Sequence, residues 1–235
     1  MSEKYVLFLN YLFINNFKKI FFCLFVFFVL FISYGLYYGL FVVDQDFQQK
    51  DAFRIMYVHV PSAYMSIFIY MFMGFMSILY FFSNLSIADH INIESSKVGV
   101  LFTLLAIFTG SIWGKPMWGV WWIWDARLTS ELVLLFLYFG YIALRISINN
   151  KDVASKSCAI LNLFGLINIP IIHYSVEWWY TLHQKATLSK FSKPNMDLEM
   201  LIPLLAMIIG FFLYYMLILF ISLSNKFLKK SYYLE

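Results

Sequence analysis

Charge is scarce in this chain: 13% of its 235 residues are Asp, Glu, Lys or Arg, against 62% hydrophobic and 22% aromatic. A mean hydropathy of +0.76 is too high for a soluble domain. The net charge of +4 is small and spread over several loops, which gives no nucleic-acid signal. Cysteine is almost absent. Cys23 and Cys158 each lie in or beside an apolar run, and neither belongs to a C-x-x-C, which argues against a redox relay or a zinc site. The glycines form no phosphate cradle either: Gly114-Lys115-Pro116 lacks the P-loop spacing and runs into proline. Internal repeats and low-complexity linkers are also missing, so residues 1–235 read as a single integral membrane domain.

What fills the chain is long apolar runs. A helix needs roughly 20 apolar residues to cross the hydrocarbon core, and six segments come close: 20–43, 61–82, 98–113, 128–144, 157–175 and 200–223. The first follows Lys18-Lys19 but is too long for a signal h-region and lacks a small-residue cleavage site, so it reads as an uncleaved span. The predicted fold is all-α, a polytopic six-transmembrane-helix bundle with short interfacial helices in the outer loops. An even count puts both termini on one side. That side carries ten Lys and Arg residues and the opposite side seven, which favours termini on the cytoplasmic or matrix side of an inner membrane. Whatever the orientation, His59, the loop 113–127 and His183 share one face, and His90 is on the other.

The seven tryptophans fall in two stretches of that shared face. Trp113, Trp118, Trp121, Trp122 and Trp124 crowd into twelve residues, and Trp178-Trp179 stand just ahead of His183. An interfacial belt is the bland reading, but a belt does not need such density, nor Lys115, Asp125 and Arg127 among the rings. Packed aromatics beside a histidine suit a large flat ligand, porphyrin foremost. Trp118, Trp121, Trp122 and Asp125 follow helical spacing behind Gly114, Pro116 and Gly119, which predicts a short helix along the membrane surface. Asp125 and Arg127 could pair, or Arg127 could meet an anionic ligand group. Thr129 or Ser130 is placed to cap the fourth span, with Glu131 in its first turn in a structural role.

The four histidines read differently. Pro61 is placed to open the second span, which leaves His59 extended just above its mouth, as a bare interfacial residue or as a metal or haem ligand. If 177–184 is an interfacial helix, Trp179, Tyr180 and His183 share a face, again as anchors or as part of a site. His173 follows Pro170, which implies a kink in the fifth span, and a structural hydrogen bond suits it best. His90 reads as a solvated loop residue.

Three blocks together resemble the haem-handling "WWD" membrane proteins and, among them, the haem exporter protein C (CcmC) family of system I cytochrome c maturation. They are Arg54-Ile-Met-Tyr-Val-His59-Val-Pro61, the run from Thr109 through Trp124-Asp125-Ala-Arg127 to Tyr138, and Pro170 through Trp178-Trp179-Tyr-Thr-Leu-His183-Gln184. They span most of the chain in the family's order; Tyr180 stands where asparagine is expected. The resemblance implies that His59 and His183 are the two axial ligands of a transient, non-covalent haem b and that the tryptophan loop holds the porphyrin. Trp118, Trp121 and Trp122 would stack on it, and Arg127 and Lys115 are candidates for its propionates. It also implies delivery to a periplasmic haem chaperone, with an ATP-binding cassette pair (ATPase and membrane subunits) and a small single-span subunit as partners. On this reading the chain holds and hands over haem and is not an enzyme. A b-type electron carrier is the main alternative, although the far face offers only His90; a transporter subunit would want more polar spans than Asn162, Asn168 and Glu131 provide.

Overall fold

A computed structural model of the chain describes residues 3–183 and 196–232. Gln184 and the outer-side lysines Lys185, Lys190 and Lys193 lie outside the described residues. The order is α1 (Glu3–Tyr37) closed by a π turn (Tyr38–Val42), a short 3-10 helix (Asp51–Ile55), α2 (Met56–Ser83), α3 (Ser86–Trp118), α4 (Ala126–Ser147), α5 (Lys151–Gly165), α6 (Asn168–Trp178) and α7 (Leu198–Tyr232). Among the described residues six helical segments are long and apolar enough to cross a membrane, with α5 and α6 together forming the fifth. The chain is a multi-pass membrane protein.

The helices outrun the apolar stretches that announce them. α3 begins at Ser86, so most of the expected inner loop 83–97 is helical, and it continues through Gly114 and Pro116 to Trp118. α2 begins at Met56, so His59 is helical rather than extended above the span. The cause is the 3-10 turn Asp51–Ile55, which feeds directly into α2, while Pro61 forfeits only its own bond four residues back. The fifth span breaks between α5 and α6, just ahead of Pro170, which has no N–H to give the Leu166 carbonyl; the Ile169 N–H takes that carbonyl at 3.1 Å. Asp51–Ile55 is the short helix of the outer loops. The tryptophan stretch beyond Trp118 and residues 179–183 are not helical.

Lipid is as apolar as leucine, so packing and buried polar contacts must hold such a bundle together. The main core gathers Met65, Ile69, Tyr70, Met73, Phe102, Leu134, Tyr138, Ile172 and Tyr215 from five helices. Tyr138 of α4 donates to the Ser66 carbonyl of α2 at 2.7 Å, and Ser95 of α3 bonds Tyr215 of α7 at 2.7 Å. Deeper toward the far end, Asn92 and Asn162 each donate Nδ2 to the Ser77 hydroxyl at 3.0 Å, tying α3 and α5 to α2. At that end Arg145 grips both Asp89 oxygens (3.0 and 3.2 Å) and also donates to Ser155. The expected solvated loop residue His90 is on α3 there, 3.0 Å from Ser222 Oγ. α1 is peripheral and packs mainly on α7.

Ser77→Ala strands two buried amide donors. It should lower stability by about 1–3 kcal/mol, whereas Lys97→Ala, which removes an exposed pair with Glu94, should change it by less than about 1 kcal/mol. Thermal melts in detergent, followed by circular dichroism, compare the two.

Candidate functional site

One end of the bundle opens into a narrow cleft of about 490 Å³, counting its mouth. His59 and Ala63 of α2, Ala106 and Gly110 of α3, and Leu128 and Glu131 of α4 line its depth. Trp113, Trp118, Trp122, Arg127 and His183 complete its walls.

His59 is fixed by α3. Its Nδ1 lies 3.0 Å from the Ala106 carbonyl and 3.2 Å from Thr109 Oγ1, and the Thr109 hydroxyl itself donates to Leu105 at 2.5 Å. Both neighbours therefore accept. Nδ1 must carry the proton, which leaves Nε2 with its lone pair, the form that ligates a metal. α3 can approach this closely because residue 110 is glycine: a Cβ there would stand 2.9 Å from His59 Cε1.

His183 reaches the cleft from a non-helical segment beyond α6. Its ring centre is 6.3 Å from that of His59 and 6.4 Å from those of both Trp113 and Trp118, which themselves meet edge to face. The segment is held from α4. Asp125 caps α4, accepting from the Leu128 N–H at 2.8 Å through Oδ1, and accepts from the Thr181 hydroxyl through Oδ2. Thr181 Oγ1 in turn accepts from the His183 N–H at 3.1 Å. Asp125, not Thr129 or Ser130, is thus the cap of the fourth span; Ser130 Oγ donates to Ala126 within α4. Arg127 does not pair with Asp125. It donates to the Ile172 carbonyl of α6 at 2.6 Å while lining the cleft.

The predicted surface helix over the tryptophans does not form. Gly119, at φ 79°, ends α3 with a left-handed turn, and residues 119–125 run irregularly to the Asp125 cap. Trp113, Trp118 and Trp122 line the cleft as a result, whereas Trp121 and Trp124 are exposed outside it. Lys115 also stays outside, donating to the Gly119 carbonyl at 3.0 Å with its ammonium 6.0 Å from the Trp121 ring centre. The predicted helix over 177–184 is missing too, because α6 stops at Trp178 and Trp179 is extended. Trp178 and Trp179 are exposed, with Trp178 stacked on Tyr174. His173 is exposed on α6, where an edge-on contact with Tyr174 replaces the expected hydrogen bond.

Several contributors escaped sequence reasoning. Gly110 and Thr109 act through the ring of His59, Thr181 through the backbone of His183, and Gln49 accepts from Trp113 Nε1 at 2.8 Å. Glu131, expected in a first turn, is buried in the second turn of α4. It lines the cleft and accepts from Ser66 at 2.7 Å. Thr109 and Thr181 each stand within a few residues of a cleft tryptophan or histidine, the only hint the chain offers.

The model of the heme exporter protein C family matches residues 8–234. Among similar proteins, heme exporter protein C of Haemophilus influenzae is 42% identical over 197 residues, 84% of this chain and 80% of its own. Its namesake from Escherichia coli K12 is 45% identical over 185 residues, 79% and 74% of the two chains. A ccmC-like mitochondrial protein of cytochrome c biosynthesis from Marchantia polymorpha is 42% identical over 201 residues, 86% and 84%.

Removing the Asp125 carboxylate should loosen two elements at once. Asp125→Ala loses a helix cap of about 1 kcal/mol together with the Thr181 contact, which corresponds to a melting temperature lower by about 2–4 °C per kcal/mol for a chain of this size. Asp125→Asn, which keeps an acceptor for the cap, should lose less. Tryptophan fluorescence melts in detergent would rank them.

Proposed function

The chain belongs to the heme exporter protein C family, and we propose that it holds haem in this cleft between His59 and His183 for delivery toward cytochrome c maturation. The observation that carries the reading is the spacing of the two imidazoles. With a metal–imidazole bond of about 2.0 Å and the ring centre about 1.1 Å behind the nitrogen, two rings on opposite sides of one iron stand about 6.2 Å apart. The separation here is 6.3 Å. Among the described residues no three His, Cys, Asp or Glu side chains converge as a ligand set, so a metal held by this pair needs its other ligands from elsewhere, as porphyrin nitrogens supply.

The walls suit such a cargo. Trp113, Trp118 and Trp122 offer apolar faces and edges. The Trp122 indole N–H is buried with no hydrogen-bond partner among the described residues, an unpaired donor that an acceptor on the cargo would satisfy. Arg127 brings a positive charge into the same cleft for a propionate; Lys115, outside it, can reach only the rim. The haem is bound non-covalently and passed on, so the chain's part is to bind and orient rather than to catalyse.

The cleft faces the periplasm or its mitochondrial equivalent, with the termini on the cytoplasmic or matrix side, a reading supported by the lysine and arginine distribution. The exposed Trp121, Trp124, Trp178 and Trp179 form an aromatic rim where a haem chaperone docks. An ATP-binding cassette pair and a small single-span subunit complete the assembly. Electron transfer across the bilayer is a weaker reading, because His90 is the only histidine at the far end.

Detergent-purified protein should show the sharp low-spin spectrum of bis-histidine haem, and His59→Ala and His183→Ala should each lose it or shift it to high spin. Unchanged spectra and haem content in both variants would refute the ligand assignment. Gly110→Ala should fold normally but hold haem about tenfold more weakly, about 1.4 kcal/mol, because the added methyl displaces the His59 ring. Haem titration of the variant measures this.

A further inference from the structure

Among the described residues that line the cleft, two carry a formal charge, Arg127 and Glu131. They stand one turn apart on α4, yet none of the described ion pairs joins them. The Arg127 guanidinium is turned to the Ile172 carbonyl at 2.6 Å. Glu131 is 8% exposed and accepts from the Ser66 hydroxyl at 2.7 Å through Oε1. Its other oxygen has no hydrogen bond among the described residues. A carboxylate buried at membrane depth is costly unless a positive charge meets it, so one with no ion pair points to a positively charged ligand. The bundle has no need of it as a tie, because Tyr138 of α4 already bonds the Ser66 carbonyl of α2. Ser66 itself has one proton and a second acceptor, the Ala63 carbonyl at 2.9 Å, so a neutral residue at position 131 would strand no donor.

Resting on the haem reading above, we infer that Glu131 is the counter-charge of the iron and biases the cleft toward ferric haem. A porphyrin core with two neutral imidazoles has a net positive charge when its iron is ferric and none when it is ferrous. The propionates are anionic in both states and meet Arg127. Only the core distinguishes the two oxidation states, and a fixed negative charge near it favours the ferric one. Ser66 is two helical turns below His59 on α2, about 10 Å along the axis at 1.5 Å per residue, and the carboxylate that it bonds lies at that depth. Glu131 is therefore beneath the imidazole and not a ligand. Over a distance of that order, between apolar walls, the attraction of two charges is worth about a tenfold change in an equilibrium constant. Glu131 acts through its charge in this scheme and touches no iron.

Glu131→Gln keeps the shape and an acceptor for Ser66 but removes the charge. Glu131→Met removes both, and Glu131→Asp keeps the charge. The full-length proteins in detergent would be compared with wild type by spectroelectrochemical titration of the bound haem, by separate titrations with ferric and ferrous haem, and by the melt of the haem-free form. Both neutral variants should hold ferric haem about tenfold more weakly and ferrous haem as well as wild type does. That difference raises the midpoint potential by about 59 mV for one electron, while the low-spin spectra and the melts stay those of wild type. Glu131→Asp should keep a potential near that of wild type. Neutral variants with the wild-type potential overturn the inference. So does an equal loss of both oxidation states, or a failure of both neutral variants to fold, since Glu131 would then be a structural support. A Glu131→Asp protein shifted as far as Glu131→Gln also overturns it, because the charge would not be the cause. If wild type itself shows no low-spin bis-histidine spectrum, the haem reading fails and this inference fails with it.

Discussion

The site depends first on the close approach of α3 to α2 at His59. An imidazole can present one nitrogen to a ligand only if the other is spoken for. The Ala106 carbonyl and the Thr109 oxygen do that here. They can do so because the backbone at Gly110 leaves room for the ring. The same helix, continuing upward, carries Trp113 and Trp118 to the cleft and ends at Gly119. One helix thus orients the first histidine and supplies two of the three tryptophans of the wall.

The bilayer explains how the rest is divided. Hydrophobicity inserts the helices but does little to choose their neighbours, and buried polar groups take over that task. Ser77 gathers two asparagines, Ser66 takes both Tyr138 and Glu131, and Arg145 closes the far end on Asp89. These contacts make a fixed scaffold below the cleft. Above it, one carboxylate, Asp125, serves both the start of α4 and the His183 segment.

Much of this was legible in the chain. Six spans followed from apolar length, and the shared face of His59, the tryptophan loop and His183 followed from their even spacing between those spans. The local conformations were less legible. The helical spacing of Trp118, Trp121, Trp122 and Asp125 was real as a pattern, but Gly119 turns the chain directly after the first of these positions and defeats it. Pro61 looked like a helix start, yet the 3-10 turn before it had already begun the helix. Pro170 did mark a break, and the structure sets it a few residues earlier than the proline itself.

By itself, the sequence determined that the chain crosses the membrane six times and gathers its histidine and tryptophan chemistry at one end. Both follow from a rule of length, because a backbone in lipid must satisfy its own hydrogen bonds and does so as helices about as long as the bilayer is thick. Only the tertiary structure decided which tryptophans face inward, that Asp125 and not Thr129 or Ser130 caps α4, and that Thr181 joins Asp125 to His183. The cap itself is a local contact with Leu128, but the fixing of His59 and the tie of Asp125 to the His183 segment rest on contacts between residues about fifty positions apart, His59 with Thr109 and Asp125 with Thr181. No local pattern encodes such pairings, because they exist only once the helices have packed.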